Sequence, residues 1–120
     1  MTLAKIRFLQ RKLTEKYGEI GVVASRYVEA GLHVQLMHPT RYGPAHIIAT
    51  GHGQRIVVEV VKDPGLVPAE VVKNLSEKAR LLRARPILVL YGHGPKLNDE
   101  VRGLIAELGV KVKQVLPSST

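Results

Sequence analysis

The chain has 120 residues, 45% of them hydrophobic, which is the size and composition of one domain. Eighteen Lys and Arg residues outnumber ten Asp and Glu residues, and the formal net charge of +8 favours a polyanionic partner such as nucleic acid. The absence of cysteine excludes disulfides, Cys-ligated zinc and thiol nucleophiles, and no apolar run approaches the roughly 20 residues of a membrane span.

Two helical patterns open the chain. Apolar residues at helical spacing predict a helix from Leu3 to Tyr17, with its other face rich in Lys and Arg. A second pattern runs from Ile20 to Val28 and ends at Gly31. Gly18 and Gly21 lie at the junction, so the sequence leaves open whether this region forms two helices or one bent helix.

Three strand patterns follow, from Leu32 to Met37, from Ala45 to Thr50 and from Arg55 to Lys62. The third is almost continuously β-branched and apolar, which predicts a central place in the sheet. The turn from Gly51 to Gln54 predicts that the second and third strands form a hairpin.

The rest of the chain alternates helices and strands. Pro68 to Arg85 is predicted to be a helix that Pro86 stops, and Ile87 to Tyr91 a short buried strand. Asn98 is predicted to cap a helix that ends at Leu108. Val110 to Val115 alternates apolar residues with lysines, which predicts a half-exposed edge strand.

The predicted order is α-α-β-β-β-α-β-α-β, an α/β protein with a mixed sheet flanked by helices. Three strands followed by a helix and a strand is the core order of the restriction-endonuclease-like fold. Within a single domain of residues 1–120 we expect an N-terminal helical segment (1–25), a nuclease-like core (26–91), a C-terminal helix and edge strand (92–116) and a tail (117–120).

Metal-dependent nucleases of that fold need an Asp at the start of one strand and Glu-x-Lys on the next. Here His46 takes the Asp position, and Val61 follows Glu59 where the lysine is needed. Lys62 is one residue late, so its side chain points to the opposite face of the strand. We therefore expect no metal site and no cofactor, and we interpret Glu59 as an ordinary polar residue on a buried strand.

Histidines offer no better site. No two of them lie four residues apart on a predicted helix, as a zinc-binding pair would, and His52 and His93 each sit between two glycines, which indicates turns. The five are His33, His38, His46, His52 and His93.

Basic residues are the firmest chemical signal. They concentrate on the third helix, where they are either phosphate contacts or a solvated charged face. The candidates for nucleic-acid binding are Lys73, Lys78, Arg80, Arg83, Arg85 and Arg41.

Five segments carry a family resemblance. They are YVEAGLHV at 27–34, RYGPAHIIAT at 41–50, IVV at 56–58, LVPAEVV at 66–72 and RARPILVL at 83–90. In this order and spacing the chain resembles the C-terminal nuclease-fold domain of archaeal tRNA-splicing endonucleases. That family cleaves precursor tRNA with a metal-free tyrosine, histidine and lysine.

The resemblance places these three groups at Ala49, at Gly53 beside His52, and at Ala84. An alanine cannot accept a proton or stabilise a charge. The resemblance therefore implies a non-catalytic structural subunit that assembles with a catalytic subunit into a heterotetramer on the bulge-helix-bulge of precursor tRNA. The implied subunit-interface residues are Val110, Val112, Gln114, Asp99 and Glu100.

Two alternatives remain open. Glu19 and Glu59 loosely match the acidic residues of Holliday-junction-resolvase-like nucleases, which indicates an active or degenerate metal-dependent nuclease. The charge alone is also typical of a general nucleic-acid-binding module. Under each of these hypotheses we expect a cytoplasmic protein that does not associate with membranes.

Overall fold

The computed structural model describes residues 2–117, so residues 118–120 of the predicted tail lie outside the described chain. Two helices come first in the chain, and two more lie between later strands. The helices are α1 (Leu3–Tyr17), α2 (Glu19–Glu29), α3 (Ala69–Leu82) and α4 (Asp99–Leu108). The strands are β1 (His33–His38), β2 (Ala45–Gly51), β3 (Gln54–Val61), β4 (Gly65–Leu66), β5 (Arg85–Tyr91), β6 (Pro95–Lys96) and β7 (Lys111–Val115).

The N-terminal region forms two helices, which resolves the alternative that the sequence left open. Gly18 separates them with φ 57° and ψ −128°, a backbone conformation that suits glycine, and its N–H donates to the Thr14 carbonyl. At the start of α1, the Thr2 hydroxyl accepts a hydrogen bond from the Lys5 N–H at 3.2 Å. The helices cross closely at Gly21, where a Cβ would overlap the Leu13 carbonyl.

One five-stranded mixed sheet organises the molecule, in the order β1-β2-β3-β5-β7. β1, β2 and β3 are antiparallel neighbours, whereas β5 and β7 continue the sheet in parallel. The predicted hairpin, the central position of β3 and the predicted fold class are confirmed. The two-residue strands β4 and β6 form a separate small pair.

Both faces of the sheet are covered, so its central strands are apolar on both sides. On one face, the buried core includes Val23, Val58 and Val89 and packs under α1 and α2. On the other, Val57 and Leu88 pack against Leu75 of α3 and against α4.

The third helix ends earlier than predicted. α3 stops at Leu82, and Arg83 takes left-handed φ 52° and ψ 51° as the C-cap, with its N–H directed at the carbonyls of Ala79 and Arg80. Arg85 and Pro86 consequently belong to β5. Pro86 has no N–H to donate to a neighbouring strand. A strand tolerates this loss near its first residue, and Pro86 is the second residue of β5.

At the other end of the sheet, Asn98 caps α4 as predicted, accepting a hydrogen bond from the Val101 N–H at 2.9 Å. β7 is the edge strand that the sequence predicted. No helix within residues 2–117 combines the length and apolar character needed to cross a membrane.

Candidate functional site

Three polar side chains meet in the layer between the sheet and α3. Ile47 pairs with Val58 near one end of the β2–β3 hairpin, and His46 and Glu59 come next on the two strands. α3 packs on this face and brings Lys78 to the pair, with only 4% of that residue exposed. We call His46, Glu59 and Lys78 the buried triplet.

Each oxygen of the Glu59 carboxylate accepts a hydrogen bond. Lys78 Nζ lies 2.9 Å from Glu59 Oε1, and His46 Nε2 lies 3.1 Å from Oε2. Lys78 also donates to the Pro44 carbonyl oxygen at 2.9 Å. Charged side chains are buried at acceptable cost only when they are paired and hydrogen-bonded, and this lysine meets both conditions.

The hydrogen bonds assign the protonation of His46. The Val60 N–H donates to His46 Nδ1 at 3.0 Å, so the imidazole is neutral and carries its proton on Nε2, which donates to Glu59. Burial lowers the pKa of His46 below its ordinary value of 6.5; Glu59 opposes this change and Lys78 adds to it.

The triplet lies beside a groove of about 620 Å³, lined in part by Glu19, His46, Glu59, Lys62 and Asp63. The structure therefore brings Glu19 and Glu59, the two acidic residues of the resolvase-like alternative, to one groove. Each of them faces a lysine, because Lys62 Nζ lies 3.7 Å from Glu19 Oε2. Of the three carboxylates that line the groove, Glu19 and Glu59 are each paired with a lysine, and Asp63 is in none of the ion pairs of the described residues.

The restriction-endonuclease-like architecture implies a divalent metal at this end of β2 and β3, and the residues present do not fit one. A hard cation needs several oxygen ligands, often carboxylates. Here both Glu59 oxygens accept hydrogen bonds, the one lone pair of the neutral His46 ring accepts another, and the Lys78 ammonium is already the counter-charge of the carboxylate. Within residues 2–117 no three His, Cys, Asp or Glu side chains are grouped to hold a metal.

The predicted nucleic-acid contacts separate into three sets: one buried residue, three at a common depression and two elsewhere on the surface. Lys78 is a correction, because it is buried with Glu59 and cannot reach a phosphate on the surface. Arg80, Arg83 and Arg85 instead gather with Arg55 around a depression of about 440 Å³. Sequence inspection missed Arg55, which lies next to the hairpin turn and approaches the others only in the folded chain.

The two remaining candidates lie outside that depression. Arg41 stacks on Tyr42, with its guanidinium carbon 5.7 Å from the ring centroid, and Lys73 is exposed on α3.

The positions implied by the tRNA-splicing resemblance also separate. Ala49 is buried in the core, whereas Gly53 and Ala84 line the arginine-rich depression. His52 takes φ 51° in the hairpin turn, with Nε2 3.2 Å from the Ala30 carbonyl oxygen.

Among the implied interface residues, Val110 is buried at 7% exposure and belongs to the core under α4, so it is not available at a surface. Val112 is half-buried, and Gln114 donates to the Gly92 carbonyl at 3.1 Å. Asp99 and Glu100 are exposed in the first turn of α4.

No family model matches the sequence, and no curated protein matches it either. Solved structures do match. A repair endonuclease from Pyrococcus abyssi superposes with a TM-score of 0.60 at 18% identity, covering 93% of this chain and 47% of that one. EndoMS in a dsDNA complex gives 0.59 at 17% identity, covering 95% and 46%. Pyrococcus furiosus SfsA in complex with Ca²⁺ gives 0.59 at 14% identity, covering 88% and 57%.

These similarities show a restriction-endonuclease-like nuclease fold in a chain that spans about half the length of its structural neighbours. They overturn the tRNA-splicing resemblance, because the neighbours are a repair endonuclease, EndoMS and SfsA. The error has a physical source. The quoted segments are the helix starts and apolar strands of the core, and any sequence that builds this sheet supplies similar residues in a similar order.

Proposed function

We propose that the chain is a nucleic-acid-binding module built on a nuclease fold, in which the buried triplet stands in place of a metal centre. The observation that carries this proposal is the Glu59 carboxylate, whose two oxygens are held by Lys78 at 2.9 Å and His46 at 3.1 Å. The ammonium supplies the positive charge that a metal ion would bring. It has no open coordination position for water or phosphate.

Charge and fold support the binding half of the proposal. The net charge of +8 attracts a polyanion, and the exposed arginines at the depression offer planar, bidentate donors for phosphate oxygens. Among the structural neighbours are repair endonucleases, and one was solved with double-stranded DNA. Duplex DNA is accordingly the first ligand to test.

Fluorescence anisotropy with a labelled duplex tests the proposal directly. We expect binding that weakens with salt along a log–log slope of about −4 to −5, the value for four to six neutralised phosphates. EDTA and the Glu59→Gln variant should leave the slope unchanged, since no metal takes part. Failure of the folded protein to bind the duplex at low salt would contradict the proposal.

A second candidate is a metal-dependent nuclease, favoured by the location of Glu19 and Glu59 in one groove. In that case a divalent ion displaces Lys78 and gathers the carboxylates. Mn²⁺ titration followed by electron paramagnetic resonance separates the two functions. The second predicts a Mn²⁺ site that Glu59→Gln removes, and the first predicts the same weak, non-specific spectrum for both proteins.

A further inference from the structure

Four exposed arginines form one concave surface. Arg55 is the second residue of β3, Arg80 lies in the last turn of α3, Arg83 follows that helix and Arg85 begins β5. β3 and β5 are parallel neighbours with Ile56 opposite Arg85, so their amino ends meet at one edge of the sheet. We call these four residues the arginine pocket.

We propose that the arginine pocket binds the backbone phosphates of the nucleic acid. This inference rests on the proposed function and assigns its binding surface. Arg55 precedes Glu59 by four residues on β3, so about 13 Å of strand separates the pocket from the buried triplet. The nucleic acid is therefore held at the edge of the sheet opposite the groove that contains Glu59.

The charge of the pocket is largely uncompensated. No carboxylate lines it within the described residues, and Arg80 is the one member with an acidic partner there, Glu77 Oε2, at 2.7 Å from Nη2. Arg55 donates from Nη1 to the Leu82 carbonyl at 3.1 Å and keeps its other guanidinium donors. Like charges held this close repel one another, and a bound anion relieves that repulsion.

Arg83 gives an independent indication. Its left-handed backbone, φ 52° and ψ 51°, is the conformation that glycine commonly supplies after a helix. A residue with a Cβ is strained there, because its Cβ crowds the following carbonyl oxygen. A cation does favour the negative end of a helix dipole, but Arg55 and Arg85 begin strands, so that effect does not account for the cluster.

The positive surface continues into a neighbouring cleft of about 470 Å³. Gln54 and Arg85 line both this cleft and the depression that holds the arginine pocket. Lys111 and Lys113 of β7 line this cleft, again with no carboxylate from the described residues. The strands β3, β5 and β7 are consecutive and parallel, about 4.8 Å apart, and near their amino ends they carry Arg55, Arg85 and Lys111 in a staggered row, since Arg85 lies opposite Ile56 and Lys111 opposite Ile87. Such a row can follow several phosphates of one strand.

The test compares two double variants that remove the same charge. Arg83→Ala/Arg85→Ala empties half of the pocket, whereas Lys96→Ala/Arg102→Ala removes two exposed cations that line neither the pocket nor the cleft. For the first we expect the salt slope of duplex binding to become shallower by about 1.8, which is about 60-fold weaker binding at 0.1 M salt when affinities extrapolated to 1 M are equal. The control should keep the wild-type slope.

The outcomes distinguish this inference from the function on which it rests. A wild-type protein that binds no duplex contradicts the proposed function. Wild-type binding that survives Arg83→Ala/Arg85→Ala, or that is weakened as much by the control, overturns the pocket and leaves the function standing. Inorganic phosphate is then titrated against the bound duplex. Displacement that needs as much phosphate as an inert salt supports the nucleic acid as the ligand. Displacement at much lower concentrations overturns that assignment, because the pocket then binds free phosphate.

Arg83→Gly guards against a trivial loss of folding. Glycine suits the left-handed backbone, so the thermal midpoint should stay equal or rise. The salt slope should nevertheless become shallower by about 0.9, which is about eightfold in affinity at 0.1 M salt on the same basis. A stable Arg83→Gly protein with wild-type affinity would remove Arg83 from the binding surface.

Discussion

At the residue scale, Lys78 can lie in the core because Glu59 and the Pro44 carbonyl oxygen are there to pair with it. Lys78 lies within the apolar stripe of α3, three residues after Leu75 and four before Leu82. Glu59 lies within an almost continuous apolar strand. Each charge would be costly to bury alone, and together with the Pro44 carbonyl and His46 they satisfy one another. No buried side-chain nitrogen or oxygen within residues 2–117 lacks a hydrogen-bond partner.

Removing one member should therefore be more harmful than removing both charges. Lys78→Met leaves the Glu59 carboxylate buried without its cation, and we expect a loss of about 3 kcal/mol in the free energy of unfolding. Lys78→Met/Glu59→Gln should recover part of that loss, since the remaining amide is neutral. Urea denaturation of the wild type, Lys78→Met, Glu59→Gln and the double variant measures this, and single-variant losses that simply add in the double variant would contradict the coupling.

His46 should make stability depend on pH. Its pKa is lowered in the folded state, mainly by burial, so between that value and 6.5 the unfolded chain binds more protons than the folded one. The free energy of unfolding therefore rises with pH through this window. The contribution of His46 to it is fully present above pH 6.5 and is lost as the pH falls below 6.5 towards the folded-state pKa. Protonation also removes the acceptor for the Val60 N–H and places a cation beside Lys78.

His46→Gln keeps an amide donor for Glu59 and does not titrate. Thermal unfolding from pH 7.5 down to pH 5 should show a smaller loss of stability for this variant than for the wild type. Parallel curves for the two proteins would mean that His46 does not supply the pH dependence.

At the element scale, α1 depends on α2 for its place in the fold. The two helices cross at Gly21, and Gln10 of α1 reaches the Ser25 carbonyl oxygen of α2 at 3.2 Å. On its outer side α1 leaves Leu3 and Phe8 exposed. The glycine at the crossing consequently determines how closely the N-terminal layer sits.

Gly21→Ala should destabilise the protein by about 1–3 kcal/mol, because its Cβ meets the rigid Leu13 backbone rather than a flexible side chain. Gly103→Ala is the matched control: Gly103 lies inside α4 with nothing within 4 Å of its Cβ position, and alanine there should stabilise by about 0.5–1 kcal/mol. Thermal unfolding gives both values. Equal effects of the two substitutions would contradict the close crossing.

The elements could be predicted from the sequence because their periodicity is local. Helical spacing gave α1 and α2, β-branched runs gave the strands, and Asn98 as a cap gave the start of α4. The end of α3 could not, because Arg83 occupies a conformation that the pattern rules reserve for glycine. The triplet was also missed, although a lysine and a glutamate at two core positions are a recognisable signal that each needs the other.

The arginine pocket lay beyond sequence reasoning for a different reason. Arg55 and Arg83 are 28 positions apart, and they meet only because β3 and β5 pair in parallel with α3 as the crossover between them. Counting charges along one helix identified three of the pocket residues, and it also included Lys78, whose side chain points inward.

At the scale of the whole molecule, charge and fold divide into two regions. One edge of the sheet carries the arginine pocket, and the other carries Glu19 and Glu59, which are already paired with lysines, together with Asp63. The fold is restriction-endonuclease-like, and the local chemistry at Glu59 opposes metal binding. We therefore expect the chain to hold DNA without cutting it.

The most direct measurement is to incubate labelled duplex DNA with saturating protein and Mg²⁺, and to analyse the same sample by anisotropy and by denaturing electrophoresis. We predict that the duplex is fully bound and fully intact, with the same result in EDTA. Cleavage that requires Mg²⁺ and disappears in Glu59→Gln would contradict the account, because it would show that the metal displaces Lys78.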